Sequence, residues 1–403
     1  MNKNMEGGGR YIKGVRFLRF FIFIGVIWFL LGVAYIPVNK IYQQGLVMLI
    51  YIPVFILIVF NVRLILSFLR GNRFFICLCA VVFLYVIVNG VVFGGLKNIK
   101  HVLYVFLFLF LGFFIVFFEI DNSIIYKTML LVLLSVTAIC LYSFYNFFCL
   151  EGNDIFSRMW GVLGVHHPIL ASYYVGFFLI LSFMILYENN NFYIAPLVVF
   201  LSAFILFAQS RGAYISIFIT ILLYLLVFYK KNKSSFWVAI FFCIFCTVLG
   251  YLFLDQIMSR GSSYRPEIIL SSINMGLNKL WFGHGIGHDF LIYTENYPEG
   301  FSHTHNLPLH IFIELGFLGL LLFSCLWASS FYICYKNKDL FLARFNVLII
   351  IFSSIAFQFD AASFIAQPRL EWFVVWVPVC ITVGVISIRF LEGLNQSCIN
   401  KEF

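Results

Sequence analysis

The chain has 403 residues, of which 63% are hydrophobic and only 11% charged, and its mean hydropathy is +1.01. A soluble domain carries roughly 25% charged and 45–50% apolar residues, so this chain cannot clothe itself in polar side chains and reads as an integral membrane protein. The net charge of +9 is explained by loops anchored on one side of a bilayer, not by binding to nucleic acid.

The first stretch, "MNKNMEGGGRYIKGVRFLRF", is basic and leads into an apolar run. That run is about 20 residues, longer than a signal-peptide core, and shows no small-residue cleavage site, so it is expected to be a retained first span. A helix needs roughly 20 apolar residues to cross the hydrocarbon core. Apolar windows fall at 17–36, 43–60, 74–93, 101–118, 128–148, 168–187, 192–209, 212–229, 236–254, 307–335, 341–359 and 371–390. The expectation is an all-α polytopic membrane protein of about twelve transmembrane helices, residues 1–403 forming a single integral membrane domain. The junction "ILFAQSRGAYISIF" reads either as a tight hairpin or as one broken helix.

Cytoplasmic loops are rich in Lys and Arg, and alternate loops here carry the positive charge. Lys3, Arg10, Lys13, Arg16 and Arg19 precede span one, and Arg63, Arg70 and Arg73 follow span two. Lys230, Lys231 and Lys233 follow span eight, and Lys336, Lys338 and Arg344 follow span ten, with Lys97 and Lys100 a mild exception. The N-terminus and C-terminus are therefore expected inside. Arg211, a large loop over 255–306 between spans nine and ten, and the 360–370 loop then fall on the outer face. The ten cysteines add no framework: Cys77, Cys79, Cys243 and Cys246 lie inside apolar runs, where a thiol is a small buried hydrophobe.

The 255–306 loop is long enough to be functional. "SSYRPEIILSSINMGLNKLWFGHGIGHDF" reads as an amphipathic helix ending in a glycine-rich turn, with Pro266 in its first turn. Ile269, Ile273, Leu277, Leu280 and Trp281 form an apolar stripe, and Glu267, Ser271, Asn274 and Asn278 a polar one. Such a helix lies along the membrane surface or caps the bundle. Arg211 alone is a snorkelling residue and Arg265 alone a solvated helix start. Together on one face they offer planar forks for phosphate oxygens.

Next comes "SHTHNLPLHIFIELGFLG". Asn306, His310 and Glu314 recur every four residues and share one helix face. Polar groups inside a membrane helix face the bundle interior or a wet cavity, and a structural bond between helices is the plain reading of Glu314. Gly316 and Gly319 would let a neighbouring helix approach closely. His303 and His305 sit at the boundary, suited to taking a proton near neutral pH. A zinc site from His284, His288, His303 and His305 is conceivable, but only Asp289 is near by to complete it, and the expectation is no metal and no cofactor.

These residues resemble the O-antigen ligase and polymerase superfamily of envelope glycan assembly. Its ligases carry His, then Asn, Ser or Gln, nine residues, Gly, two residues, and Gly, Thr or Tyr. His305, Asn306, Gly316 and Gly319 match at every fixed position. "SRGA" at 210–213, the Arg265-to-Gly287 segment and "QPRLEWFVVWVP" at 367–378 match further regions in the same order. The first 190 residues match only as generic spans.

The resemblance implies a GT-C-like, metal-independent glycosyltransferase of the bacterial inner membrane, with its active site facing the periplasm. The donor would be polysaccharide on undecaprenyl diphosphate, and the acceptor a sugar hydroxyl of lipid A–core, in lipopolysaccharide biosynthesis. His305, with His303 as its rival, would be the catalytic base. Arg211 and Arg265 would bind the diphosphate, and Asn306, His310, Glu314, Arg369 and Glu371 would line the cavity. The alternatives are an O-antigen polymerase, which extends the lipid-linked glycan, and a polysaccharide transporter or flippase. The latter would place ionisable or broken segments at the midplane and often carry repeats.

Overall fold

The structure is a computed structural model that describes residues 15–93, 95, 98–118, 121–188, 191–228, 264–294, 297–361 and 364–399. The window 236–254, with Lys3, Arg10, Lys13, Lys97, Lys230, Lys231, Lys233, Cys243 and Cys246, lies outside the described residues.

Helices occupy the other expected windows. In chain order they are α1 (Val15–Tyr35), α2 (Asn39–Phe60), α3 (Val62–Gly71), α4 (Arg73–Val92), α5 (Ile99–Ile115), α6 (Asn122–Phe144) and α7 (Pro168–Glu188). After these come α8 (Ala195–Ala208), α9 (Arg211–Leu223), α10 (Arg265–Leu277), α11 (Leu307–Lys336), α12 (Phe341–Ala356) and α13 (Trp372–Ile399). Among the described residues, seven helices are long and apolar enough to cross a membrane, while the runs Ile99–Ile115, Phe192–Ala208, Arg211–Leu226 and Phe341–Ala356 are apolar but shorter. In lipid every backbone N–H and C=O must be paired within the segment, which is why these runs are helical.

The chain breaks between α8 and α9 at Gln209, which takes the left-handed conformation (φ +48°), so "ILFAQSRGAYISIF" is two helices rather than one. The basic stretch after span two is also more than a loop. Ile65 and Phe68 of α3 turn inward while Arg63, Ser67 and Arg70 stay exposed.

α7 and α13 are the most buried long helices and form the centre of the bundle. Trp372 and Trp376 of α13 are sunk in the core and spend their indole N–H groups on Ala366 O and Phe364 O. Gly112 of α5 lets α13 approach so closely that a Cβ there would lie 2.3 Å from Cys380 O. Pro378 interrupts α13, and Asn346 of α12 donates to its carbonyl at 2.8 Å.

The two ends of the bundle differ in chemistry. At one end Arg344 grips Glu188 through Nε at 3.0 Å and Nη2 at 2.5 Å. Arg389 there pairs with Asp339 and Glu392, and Phe68 of α3 packs edge-on against Phe390, which places Arg63 and Arg70 at this end. The opposite end gathers the start of α9, α10, the start of α11, the loop after α12 and the segment before α13. The described part of the 255–306 loop folds here into α10, a glycine turn and a hairpin of β1 (Ile292–Thr294) and antiparallel β2 (Tyr297–Phe301).

Candidate active site

The starts of α9, α10 and α11, with the loops before α7 and after α12, build the site. Asn306 caps α11, its side-chain oxygen accepting from Leu309 N at 3.0 Å. Its amide nitrogen donates to Gln358 Oε1 at 2.9 Å, and Leu307 N donates to Phe357 O at 2.9 Å. The start of α11 is thus stitched to the end of α12. His305, immediately before the cap, sits at φ +51°, a region that non-glycine residues enter at a cost and that clusters at functional sites.

That backbone aims the His305 ring at Asp360, with Nδ1 3.2 Å from Oδ1. Asp360 is buried at 4% exposure. Burial alone would raise its carboxyl, but the hydrogen bond from His305 and the charges of His305, His167 and His303 outweigh it and hold the group below the usual carboxylate value. An ionised carboxylate only accepts, so in the neutral His305 ring Nδ1 is the protonated nitrogen and Nε2 the one with the lone pair. His303 packs against His305 with ring centroids 3.9 Å apart. Burial first, then the His305 charge, pull His303 below its ordinary value.

Next to Asp360 lies a small polar cleft of about 70 Å³, lined by Arg158, Gln209, Ser210, Arg211, Arg265 and Phe359 among others. It brings Arg211 and Arg265 together, as the sequence led one to expect, and adds Arg158. Arg211 is the first residue of α9, so the cleft also faces backbone N–H groups at a helix N-terminus. Arg265 lies with its guanidinium carbon 5.9 Å from the centre of the Phe359 ring, which orients its fork. Arg158 is held by a bond from Nε to Ala208 O at 3.2 Å. Gly212 is needed here, since a Cβ would meet Phe359 Cβ at 2.6 Å.

Glu314 has a definite role in this frame. Its Oε1 accepts from Gly287 N at 2.7 Å and lies 3.5 Å from His310 Nε2. It therefore pins the "GHGIG" turn to α11. The same turn donates from His284 N to Ile313 O at 2.8 Å and from Gly285 N to Glu314 O at 2.9 Å. These carbonyls are free because α11 is broken at Gly316 (φ +67°, ψ −169°). The expectation that Gly316 and Gly319 pack a neighbouring helix is corrected at Gly316. A Cβ there would lie 2.4 Å from Trp281 C, so it receives the backbone of the turn.

α10 docks through Ile268, Ser272 and Gly276, with Gly276 against Phe312. The apolar stripe read from the sequence points away, leaving Ile269, Ile273, Leu277 and Trp281 exposed, as suits a helix lying along a membrane surface. Arg369 and Glu371 pair with each other, at 2.6 Å from Nε and 2.5 Å from Nη2 to the same oxygen. His284 and His288 stack on each other at 5.6 Å, and His284 Nε2 lies 3.0 Å from Met275 O. The metal-competent group found among the described residues is instead His303, His305 and Asp360, whose donor atoms lie within 4.8 Å of one another.

Asp360 and Arg158 were not singled out from the sequence. A lone acid in the predicted outer 360–370 loop was the available signal for the first. An arginine between spans five and six was the signal for the second.

Fold and site define a polytopic membrane protein with a histidine–carboxylate pair beside an arginine-lined cleft at one end of its bundle. Residues 196–324 match the model of the O-antigen ligase family, a stretch that holds Arg211, Arg265, His303, His305 and Glu314. The chain is also similar to an O-antigen ligase of Pseudomonas aeruginosa, 25% identical over 239 residues. That match covers 58% of this chain, and the chain spans 58% of the length of the relative. Both findings support the O-antigen ligase family, the one the sequence resembles.

Proposed function

We propose that the chain is an O-antigen ligase that moves polysaccharide from undecaprenyl diphosphate to a sugar hydroxyl of lipid A–core, at the periplasmic face of the inner membrane. The observation that carries this reading is the His305–Asp360 pair set next to a cleft with three arginines. In the proposed step His305 Nε2 takes the proton of the acceptor hydroxyl, whose oxygen forms the new bond to the anomeric carbon. The bond from that carbon to the diphosphate breaks, and the departing oxygen keeps the electron pair. Arg158, Arg211 and Arg265, with the α9 N-terminus, stabilise the charge that develops there. Asp360 holds the His305 ring and stabilises the imidazolium. The diphosphate is already an activated leaving group, so neither ATP nor a metal is required.

The test is to delete the gene and separate the envelope lipids on a gel. A ligase null leaves bare lipid A–core while long polymer accumulates on the undecaprenyl carrier. Core capped with a single repeat would instead mark a polymerase and overturn the proposal.

A further inference from the structure

His167 stands immediately before α7, and the proposed transfer step leaves it unused. The first turn of α7 meets the arginine cleft through Ile169. Further along the helix, Tyr173 donates to Ala356 O at 2.8 Å and ties this end of α7 to the end of α12. The charges of Asp360, Arg158, His305 and Glu371 all bear on the His167 ring. Asp360 and His305 form the base and Arg158 belongs to the cleft, so His167 flanks the space between base and cleft.

Its hydrogen bonds decide which nitrogen carries the proton. Leu170 N donates to His167 Nδ1 at 3.3 Å, and Ala171 N donates to His167 O at 2.9 Å. His167 therefore caps α7, a task that Ser, Thr, Asp or Asn usually performs. A ring nitrogen that accepts a backbone N–H holds no proton, so in the neutral ring Nδ1 has the lone pair and Nε2 the N–H. Burial, its largest influence, holds the ring below the ordinary histidine value and so favours that neutral form. Part of the residue stays open to solvent, and among the described residues Nε2 has no hydrogen-bond partner. His305 is arranged the other way round, with Nδ1 against Asp360 and the lone pair on Nε2. One imidazole can take a proton; the other can only give a hydrogen bond.

We infer that His167 Nε2–H donates a hydrogen bond to the sugar-linked phosphate of the donor and stabilises it as the bond to the anomeric carbon breaks. This rests on the transferase reading above and adds a neutral donor to the three arginines of the cleft. The ring moves no proton, because its other nitrogen is engaged by the helix. It is a dipole already oriented before the charge develops, which costs no reorganisation during the step. Capping and substrate contact fall to different nitrogens, so they can be separated.

The test compares His167→Asn and His167→Gln in the full-length protein, purified and reconstituted in proteoliposomes. An Asn side chain places its oxygen near the Nδ1 position and keeps the cap, whereas a Gln amide reaches toward the Nε2 position and gives the cap up. His167→Asn should melt like the parent yet lose kcat about 10–100-fold, the loss of one hydrogen bond to a charged group. Its KM for lipid A–core should not change. His167→Gln should melt lower and keep more of kcat than His167→Asn. Undecaprenyl diphosphate, added alone, should bind His167→Asn about tenfold or more weakly than the parent. Full transfer and full binding by His167→Asn would reduce the residue to a cap and overturn the inference. A raised KM for lipid A–core with kcat kept would assign the N–H to the acceptor and overturn it as well. If binding of undecaprenyl diphosphate depends on His167 but the native chain transfers nothing to lipid A–core, the transferase reading alone falls.

Discussion

His305 Nδ1 meets Asp360 Oδ1 at 3.2 Å across 55 residues of sequence. The contact sets the tautomer of the neutral His305 ring and turns Nε2 toward the site, whereas His303 Nδ1 lies 3.3 Å from the Ser302 hydroxyl and not against a carboxylate. A positioned general base contributes roughly 10²–10⁴-fold to a rate. His305→Ala should therefore lose transfer by that order, and Asp360→Asn should lose most of the same factor. Because the two act as a unit, the double variant should be little worse than His305→Ala alone. Rates in proteoliposomes would show this, and additive losses would separate the pair.

The cleft makes a prediction for a residue outside the matched family region. Hydrogen bonds to charged groups contribute about 1.5–3 kcal/mol, so Arg158→Ala should cost transfer roughly 10–100-fold, as should Arg211→Ala and Arg265→Ala. Lysine at Arg265 should restore little, because it lacks the planar fork and the stacking on Phe359. Steady-state kinetics against donor concentration check this. Full activity of Arg158→Ala would remove it from the cleft.

Gly316 and Glu314 act on the frame, not on the reaction. A side chain at Gly316 meets both a left-handed backbone and the Trp281–Phe282 peptide, so Gly316→Ala should destabilise by about 1–3 kcal/mol or more. Glu314→Leu leaves Gly287 N–H without its acceptor and should loosen the "GHGIG" turn. Thermal melting of the purified protein measures the first. Hydrogen exchange at residues 283–288 measures the second.

His303 and His167 both titrate below the ordinary histidine value of 6.5, in each case chiefly through burial. Between the lowered folded values and 6.5 the unfolded chain binds more protons, so stability rises with pH in that window. The protein should therefore melt at lower temperature as pH falls from about 6.5, and His303→Gln should flatten part of that slope. A melting temperature that rises on acidification would contradict the sign.

The trio His303, His305 and Asp360 could hold a divalent ion. The proton-transfer account gives His305 and Asp360 other work, so prolonged chelation should leave transfer unchanged. Loss on chelation and rescue by one divalent metal would recast the trio as ligands.

Much of the bundle was legible in the sequence because lipid enforces long apolar runs. Arg211 and Arg265 stood out because charge is scarce in such a chain, and His305 through its match to the ligase signature, with His303 as its rival. What stayed hidden depends on tertiary placement. Asp360 and Arg158 acquire their roles only when distant loops meet at Phe359 and Ala208. Gly316 was read as a packing surface, since in sequence a glycine that breaks a helix looks the same as one that packs it. For α10 the sequence left two placements open, along the membrane surface or capping the bundle, and its exposed apolar stripe suits the first.

The most direct measurement is reconstituted transfer. Purified protein in proteoliposomes receives undecaprenyl diphosphate polysaccharide and lipid A–core, with chelator present and no nucleotide. The account predicts polymer on lipid A–core with the native chain and almost none with His305→Ala or Asp360→Asn, although both variants insert and melt like the parent. Near-normal transfer by either variant would contradict it.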